Sequence, residues 1–387
     1  MKPVAPESSI SAAPLLSAYA AQQLGPERAA LARPLRDLLW QSGLRWPTWI
    51  DARPGLLQLL LADCVDAPLA ATRRALWMQK RERLQQGLVA VGLALAAPRL
   101  AFWLPAQPRV PETPATPSSS AIAELHAPSS FPSQPTRVLL GDAGRAFALS
   151  AEQLVAVADV LAEPDPAPRT AALISIVGAV QRPAVLPLPD ELITPRQLVD
   201  RSGGATTAAW VPLLADPIHG CIWEADRPIP AASVGMTPSV LYILPASHEL
   251  IRRHRASPGL RQRAANACLG CTLCSDLCPT ADAGTRPHLL MRALGQGVSQ
   301  HLTPQLLAAT AGCTRCGACS VACPAELLPG AVVAAFAAEL PSPARDEPEP
   351  PPLPDLSRLS WSRMLTRLGL DRFAAAEIAV SAAIQSG

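Results

Sequence analysis

Aromatic side chains are scarce. Phe, Trp and Tyr together make up 4% of the chain, so its cores must be built from Leu, Val and Ala. Charge is also sparse, at 17% of residues, and nearly cancels to a net +2. Without a large basic field there is no electrostatic footprint for nucleic acid. Residues 1–14 lack a basic region followed by an apolar block, so no secretory leader is expected. No long apolar run is present either. A membrane-crossing helix needs about 20 predominantly apolar residues. The most apolar stretch, residues 87–106, is interrupted by Pro98 and Arg99. It reads as a helix over 88–96 followed by a buried strand over 100–104. What the chain has in excess is proline, 43 of 387 residues, which points to several loose segments.

Ten cysteines are present, and eight of them fall into two copies of one pattern. Cys268, Cys271, Cys274 and Cys278 form C-x2-C-x2-C-x3-C, followed at once by Pro279. Cys313, Cys316, Cys319 and Cys323 repeat it, followed by Pro324. This is the ligand run of a protein that holds two 4Fe–4S clusters, in which each iron needs one thiolate. Three closely spaced cysteines on a tight loop wrap three corners of a cube. In such runs the fourth cysteine reaches the other cluster. Cys323 is therefore expected to complete the first site with Cys268, Cys271 and Cys274. Cys278 is expected to complete the second with Cys313, Cys316 and Cys319. The prolines turn the chain away after the last ligand. Zinc sites use pairs of C-x2-C rather than two runs of four. Disulfides across loops this short would be strained and belong to oxidising compartments. Eight ligand thiols need a reducing compartment, so a cytoplasmic setting is expected. The two remaining cysteines, Cys64 and Cys221, are expected to be small core residues.

Along the chain, residues 1–30 form an Ala- and Ser-rich extension with a helix near 12–24. Residues 31–104 alternate helical and strand-like segments, with an apolar run at 56–62. Residues 68–85 read as one amphipathic helix whose basic face, Arg73, Arg74, Lys80, Arg81 and Arg83, is solvated. Residues 105–136 are rich in Pro, Ser and Thr and read as a flexible insertion. A short strand pair is expected at 137–140 and 145–149. Ser150 then caps a helix over 152–161. Residues 171–188 carry two strands joined by a turn. Thr194 and Pro195 start a helix that ends near Arg201, with Gly203-Gly204 beyond it. Strand, turn, strand, helix, Gly-Gly is a β-grasp order, and a further strand follows at 239–244. Ser257-Pro258 are read as the cap of the helix that feeds Cys268. Between the cysteine runs two helices are expected, over 287–294 and 304–311, which makes a helical dicluster module rather than a small ferredoxin. A helix over 329–340, a Pro/Glu linker at 341–354 and helices over 356–384 complete the chain.

The cysteine runs, Asp276-Leu277-Cys278-Pro279 and Pro287-His288-Leu289-Leu290-Met291-Arg292 resemble the cobalamin reductases of bacterial microcompartments. Those are similar in turn to the C subunit of the Rnf electron-transport complex. Val177-Gly178-Ala179-Val180-Gln181-Arg182-Pro183, with Ser202-Gly203-Gly204, looks like the soluble-ligand-binding β-grasp domain of that family, and Leu365-Thr366-Arg367-Leu368-Gly369-Leu370 looks like its microcompartment branch. The resemblance implies an α/β plus α architecture. It comprises a degenerate Rossmann-like domain over 31–165, a β-grasp domain over 170–250, a dicluster 4Fe–4S module over 256–340, and C-terminal helices over 355–387. Family members carry a G-x-G-G-A-G-F-P-T flavin and nicotinamide loop, where this chain has Ser42-Gly43-Leu44-Arg45-Trp46-Pro47-Thr48. Their N-G-x-E-C-E-P segment corresponds to Ala62-Asp63-Cys64-Val65-Asp66-Ala67-Pro68, and their G-G-P-M-M-G turn to Ala215-Asp216-Pro217-Ile218-His219-Gly220. A phosphate needs close backbone approach, which Arg45 and Trp46 would block. FMN and NADH binding are therefore expected to be lost. No catalytic residue is assigned, and His219 and His288 are expected to pack or hydrogen-bond rather than ligate. The expected function is an electron-transfer subunit relaying single electrons between redox partner proteins. Its setting would be a microcompartment, with shell proteins as partners, or the periphery of a membrane complex. The alternatives are a flavin- or NADH-dependent reductase and a partner-recruiting scaffold with structural clusters.

Overall fold

The structure, a computed structural model, describes residues 26–46, 50–51, 55–105, 122–127, 130–131, 146–162, 172–188, 192–229, 238–255, 259–281, 284–295, 306, 313, 315–339, 359–374 and 379–380. The helix expected at 12–24, the one at 304–311 apart from Leu306, the strand at 137–140 and the linker at 341–354 lie outside those residues.

Helix α1 (Pro26–Gln41) stops where Gly43 takes a left-handed φ of 98°. Leu44 N–H then reaches back to Leu39 O at 3.0 Å and Gly43 N–H to Trp40 O at 3.1 Å, which satisfies carbonyls of the last turn. Strand β1 (Leu59–Asp63) follows. The next helical stretch is not the single helix expected over 68–85. It is α2 (Thr72–Gln79) and α3 (Arg81–Ala94), broken where Lys80 adopts φ −125° and ψ 32°. The break lets two faces be buried in different places. Thr72, Ala75 and Leu76 turn inward on α2, which packs on the strand Ala172–Gly178, while α3 packs against α1 and the helix Ala151–Ala162. Strands β2 (Arg99–Leu104), β3 (Ile122–His126), β4 (Ser130–Phe131) and β5 (Ala146–Ser150) complete the first half. β3, β2, β1 and β5 form a four-stranded sheet in that order, all parallel. Helix α4 (Ala151–Ala162) covers it, lying so close to α3 that a Cβ at Gly87 would fall 2.0 Å from Leu154 O. Ser150 caps α4 as expected. Its Oγ accepts from Gln153 N–H at 3.3 Å, and Gln153 Oε1 accepts from Ser150 N–H at 3.1 Å.

Two readings of this half are corrected. Within 105–136, read as a flexible insertion, residues 122–126 and 130–131 are the strands β3 and β4, because pairing with β2 and with Leu359–Ser360 supplies order that composition does not report. The strand expected at 145–149 is present as β5, but it pairs in parallel with β1.

The second sheet has the order β12-β7-β6-β10-β8-β9. β6 (Ala172–Gly178) and β7 (Ala184–Leu188) form an antiparallel pair. Helix α5 (Pro195–Arg201) follows, started by a capping box between Thr194 and Gln197. β8 (Trp210–Leu214) pairs with β9 (Cys221–Ile222), and β10 (Val240–Pro245) runs parallel to β6 and antiparallel to β8. One face, Ile174, Ile176, Leu241 and Ile243, buries Leu198 and Val199 of α5. The other face, Val177, Leu213, Tyr242 and Leu244, packs on Cys316, Val321, Met364 and Leu368. The sheet is thus the floor beneath the cysteine module. It is also tied to the first sheet through buried polar contacts. Thr72 Oγ1 lies 2.6 Å from Ser175 Oγ and donates to Ser239 O at 2.6 Å, and Ala71 N–H donates to Ser175 Oγ at 3.0 Å.

Helices α6 (Glu249–Arg255), α7 (Leu260–Ala267), α8 (Leu273–Asp276), α9 (Pro287–Gly295), α10 (Ala318–Ala322) and α11 (Pro329–Glu339) build the cysteine module. The residue at the N-cap of α7 is Gly259, and the expected cap Ser257-Pro258 lies outside the described residues. The C-terminal part is not purely helical. It comprises β11 (Leu359–Ser360), α12 (Trp361–Arg367), a 3-10 turn (Asp371–Phe373) and β12 (Ala379–Val380), whose edge pairing with β7 the periodicity of the sequence does not reveal. No helix among the described residues is long and apolar enough to cross a membrane.

Candidate metal centre

Helix α7 delivers Cys268 at its C-terminal end, and the chain then turns through two left-handed residues, Gly270 (φ 63°) and Thr272 (φ 63°). The second run repeats this with the residue types exchanged: Arg315 (φ 58°) and Gly317 (φ 78°) stand at the corresponding positions. Each loop wraps its cysteines by the same backbone path, using one glycine and one strained side chain. A short helix follows in both copies, α8 carrying Cys274 and α10 carrying Cys319.

An open cavity of about 360 Å³, mouth included, lies against the first loop. Cys268, Cys271, Cys274 and Cys323 all line it, with His288 and Met291 from α9 and Leu327 opposite. Cys278 does not. Burial first, then repulsion from Cys323, Cys271 and Cys268, pushes the Cys274 thiol up to about 12. The other set is deeper. Cys278, Cys316 and Cys319 are buried and Cys313 is half-buried. Cys319 is driven far above the usual thiol range by burial, then by Cys316, Cys313, Cys278 and Cys274. Cys313 is raised by burial and, to a lesser extent, by Cys278, against a hydrogen bond from the Arg315 backbone. Cys323 thus lines the cavity with the first triplet, while Cys278 and Cys274 both act on Cys319 of the second run.

Among the described residues, no three His, Cys, Asp or Glu side chains form a group that could hold a single metal ion. The first four thiols instead surround a volume. That arrangement fits a multi-iron cluster, which needs one thiolate at each of several corners. Iron bound there would reverse the protonation, since a coordinated thiol is deprotonated outright.

The surrounding residues hold these thiols by identifiable contacts. Leu327 N–H donates to Cys323 Sγ at 3.5 Å, and Thr280 Oγ1 lies 3.3 Å from Cys278 Sγ. Ser275 Oγ accepts from His288 N–H at 3.1 Å and lies 2.7 Å from His288 Nδ1, pinning α9 to the first loop. Arg367 Nη1 donates to Val321 O at 3.4 Å and Ala322 O at 3.3 Å, just before Cys323. Arg253 bridges Glu326 at 3.2 Å and Arg367 O at 3.3 Å. The turn at 215–220 presses Ile218 and His219 onto Gly317, where an added Cβ would lie 2.7 Å from Ile218 and 3.0 Å from His219. His219 is 3.4 Å from Asp216 Oδ2. Neither histidine is needed as a ligand.

A second polar group lies at the carboxyl ends of β1 and β5. These strands are where the strand order of the first sheet reverses direction, the place at which open parallel sheets bind their ligands. Arg73 fills that crevice. Its Nη1 donates to Asp63 Oδ2 at 2.7 Å and Val65 O at 2.8 Å, and its Nε to Glu152 at 3.2 Å. Its backbone N–H and that of Arg74 donate to Asp66 at 2.7 and 3.1 Å. The side chain of Arg73 retains 20% exposure, so the solvated role expected for it is corrected. Burial raises Asp63 despite Arg73, and carries Asp66 up to about 6. The glycine-poor loop also has a structural use. Gly43 ends α1, Arg45 stacks 4.1 Å over Trp40 and Trp46 is buried. Sequence reasoning missed Glu152 and the buried role of Arg73. Only Asp63 and Asp66, in the segment matched to the family motif, signalled polarity there. Cys64 is buried as expected, whereas Cys221 is exposed on the short edge strand β9 rather than in a core.

Residues 267–328 match the family described as a 4Fe-4S dicluster domain. That match contains all eight cysteines of the two runs. Two relatives are named cobalamin reductase PduS, one from Citrobacter freundii (36% identical) and one from Salmonella typhimurium (35% identical). Each match runs over 167 residues, 42% of this chain and 35% of the relative, so the chain spans about a third of the length of the curated relatives it matches. Among solved structures, an NAD+-reducing [NiFe]-hydrogenase in the H2-reduced state aligns at 14% identity with a TM-score of 0.44, covering 85% of this chain and 64% of that one. The air-oxidised state aligns at 15% identity with a TM-score of 0.39, over 94% and 70%.

Proposed function

We propose that this chain is an electron-transfer subunit holding two 4Fe–4S clusters and relaying single electrons between redox partner proteins. The observation that carries the reading is the cavity walled by Cys268, Cys271, Cys274 and Cys323, which joins the fourth cysteine of one run to the first three of the other. Cys313, Cys316, Cys319 and Cys278 would hold the second cluster. When bound, the clusters supply one-electron chemistry. The chain's own residues ligate, exclude water from the deeper site, and donate hydrogen bonds to sulfur, all of which set potential. The second sheet, with its parallel β6–β10 pair and covering α5, supports a β-grasp reading, and the first supports a degenerate Rossmann-like one. Domain limits follow as 31–165, 170–250 and 256–340. Arg73 in the switch-point crevice weighs against an NADH- or flavin-dependent reductase. The resemblance supports a cytoplasmic setting in a microcompartment.

Anaerobically purified protein should contain about eight irons per chain. Cys278→Ser should damage the cluster held by Cys313, Cys316 and Cys319, and Cys323→Ser the one held by the first triplet, as read by electron paramagnetic resonance. Colourless protein carrying stoichiometric zinc would end the reading. So would reversible NADH reduction through bound flavin, in favour of the reductase.

A further inference from the structure

Resting on that relay reading, we propose that the mouth of the first cysteine cavity is the docking face for a small acidic one-electron carrier protein. The two cysteine groups differ in access. Cys271 is exposed, whereas Cys278, Cys316 and Cys319 are buried, so an electron enters or leaves at the first group. Leu269 and Leu273, two residues to either side of Cys271, are 73% and 37% exposed. They are two of the five large hydrophobics left exposed among the described residues. Side chains this apolar at a redox-active mouth are what a protein partner covers, and aromatic or aliphatic anchors ringed by charge are the ordinary anatomy of such a contact.

The charge around the mouth selects the partner. Arg286 and Arg292 are exposed. Both act on His288, which lines the cavity and is held below its usual range first by burial and then by these two arginines. Arg315 is exposed within the second loop. From 259 to 295 the described residues hold four arginines against Asp276, and the sequence adds only Asp282; across the mouth the segment 323–329 adds one acid, Glu326, which is paired with Arg253 at 3.2 Å. A positive rim attracts an acidic surface and repels a second copy of itself. One electron passes and no atom or proton moves. The carrier is oxidised by one electron and this chain reduced by one, or the reverse.

The test uses the full chain loaded with iron anaerobically. An acidic plant-type [2Fe–2S] ferredoxin, reduced, is mixed with the oxidised protein by stopped flow. The rate should fall about tenfold between about 20 mM and about 500 mM salt. Arg286→Glu combined with Arg292→Glu should lose about tenfold at low salt and should speed exchange with a basic c-type cytochrome. Leu269→Ser, a milder change, should slow transfer severalfold without altering the salt slope. Iron content and photoreduction by deazaflavin should be unchanged in every variant. A rate indifferent to salt and to charge reversal, with photoreduction intact, would overturn the docking face and leave the relay standing. Iron-loaded wild type that cannot be photoreduced would overturn the relay and the docking face with it.

Discussion

At the scale of single residues, the two cysteine loops use the same backbone path with different chemistry. Thr272 and Arg315 hold left-handed φ values that cost a side chain about 1–2 kcal/mol, while Gly270 and Gly317 hold theirs without that strain. Thr272→Gly should therefore stabilise the protein by roughly 1 kcal/mol in denaturant unfolding. Gly317→Val should do the opposite, since it adds strain and drives a Cβ into Ile218 and His219. The expected result is loss of the second cluster's signal with the first retained. Asp66 carries a pH signature. Its folded pKa of about 6 lies above the ordinary 3.8, so the native state binds the proton more tightly than the unfolded chain. Stability from this group is fully present at low pH and is lost as pH rises from about 4 through 6. Asp66→Asn should gain stability relative to wild type at pH 7, and the gain should shrink towards pH 5, read from denaturant midpoints. The two cysteine runs were legible at this scale because the signal lies in their spacing. The swapped glycines were not, because a left-handed residue other than glycine leaves no mark in composition.

At the scale of elements, the cysteine module is clamped by parts distant in sequence. Arg367 on α12 ties the end of α10 immediately before Cys323, and Arg253 on α6 ties the loop after it. Contacts that orient metal ligands commonly contribute 10- to 100-fold to metal retention. Arg367→Gln should therefore release iron to a chelator on the order of tenfold faster, with the first cluster lost before the second. Equal loss from both sites would show that α12 acts only on global stability. Local signals foretold α5, α4 and α9 well, since Thr194-Pro195, Ser150 and Pro287 are start signals read within one turn. They failed at Lys80, where the chain breaks because α2 and α3 face different neighbours. They failed again at β12, whose partner β7 lies almost 200 residues earlier.

At the scale of the whole molecule, the parallel sheet keeps a ligand-binding topology while its crevice holds Arg73 among Asp63, Asp66 and Glu152. Arg73→Ala would leave buried carboxylates unpaired and should cost about 3–5 kcal/mol. NADH should still not bleach the iron–sulfur absorbance in that variant, because the loop at 42–46 remains packed on α1. Rapid bleaching would show Arg73 to be a plug over a working site. By itself, the sequence determined the two cysteine runs and their spacing, the absence of a continuous apolar span in its most apolar stretch, and most of the helix starts. These are properties of spacing and of neighbours within a turn, which carry their own physical cause. Only the tertiary structure decided that the first cysteine group opens to solvent while the second is buried, that Arg73 turns inward rather than to water, and that the second sheet lies beneath the cysteine module. Each of those depends on groups brought together from far apart in the chain, where burial and opposing charge, not local pattern, select the partner.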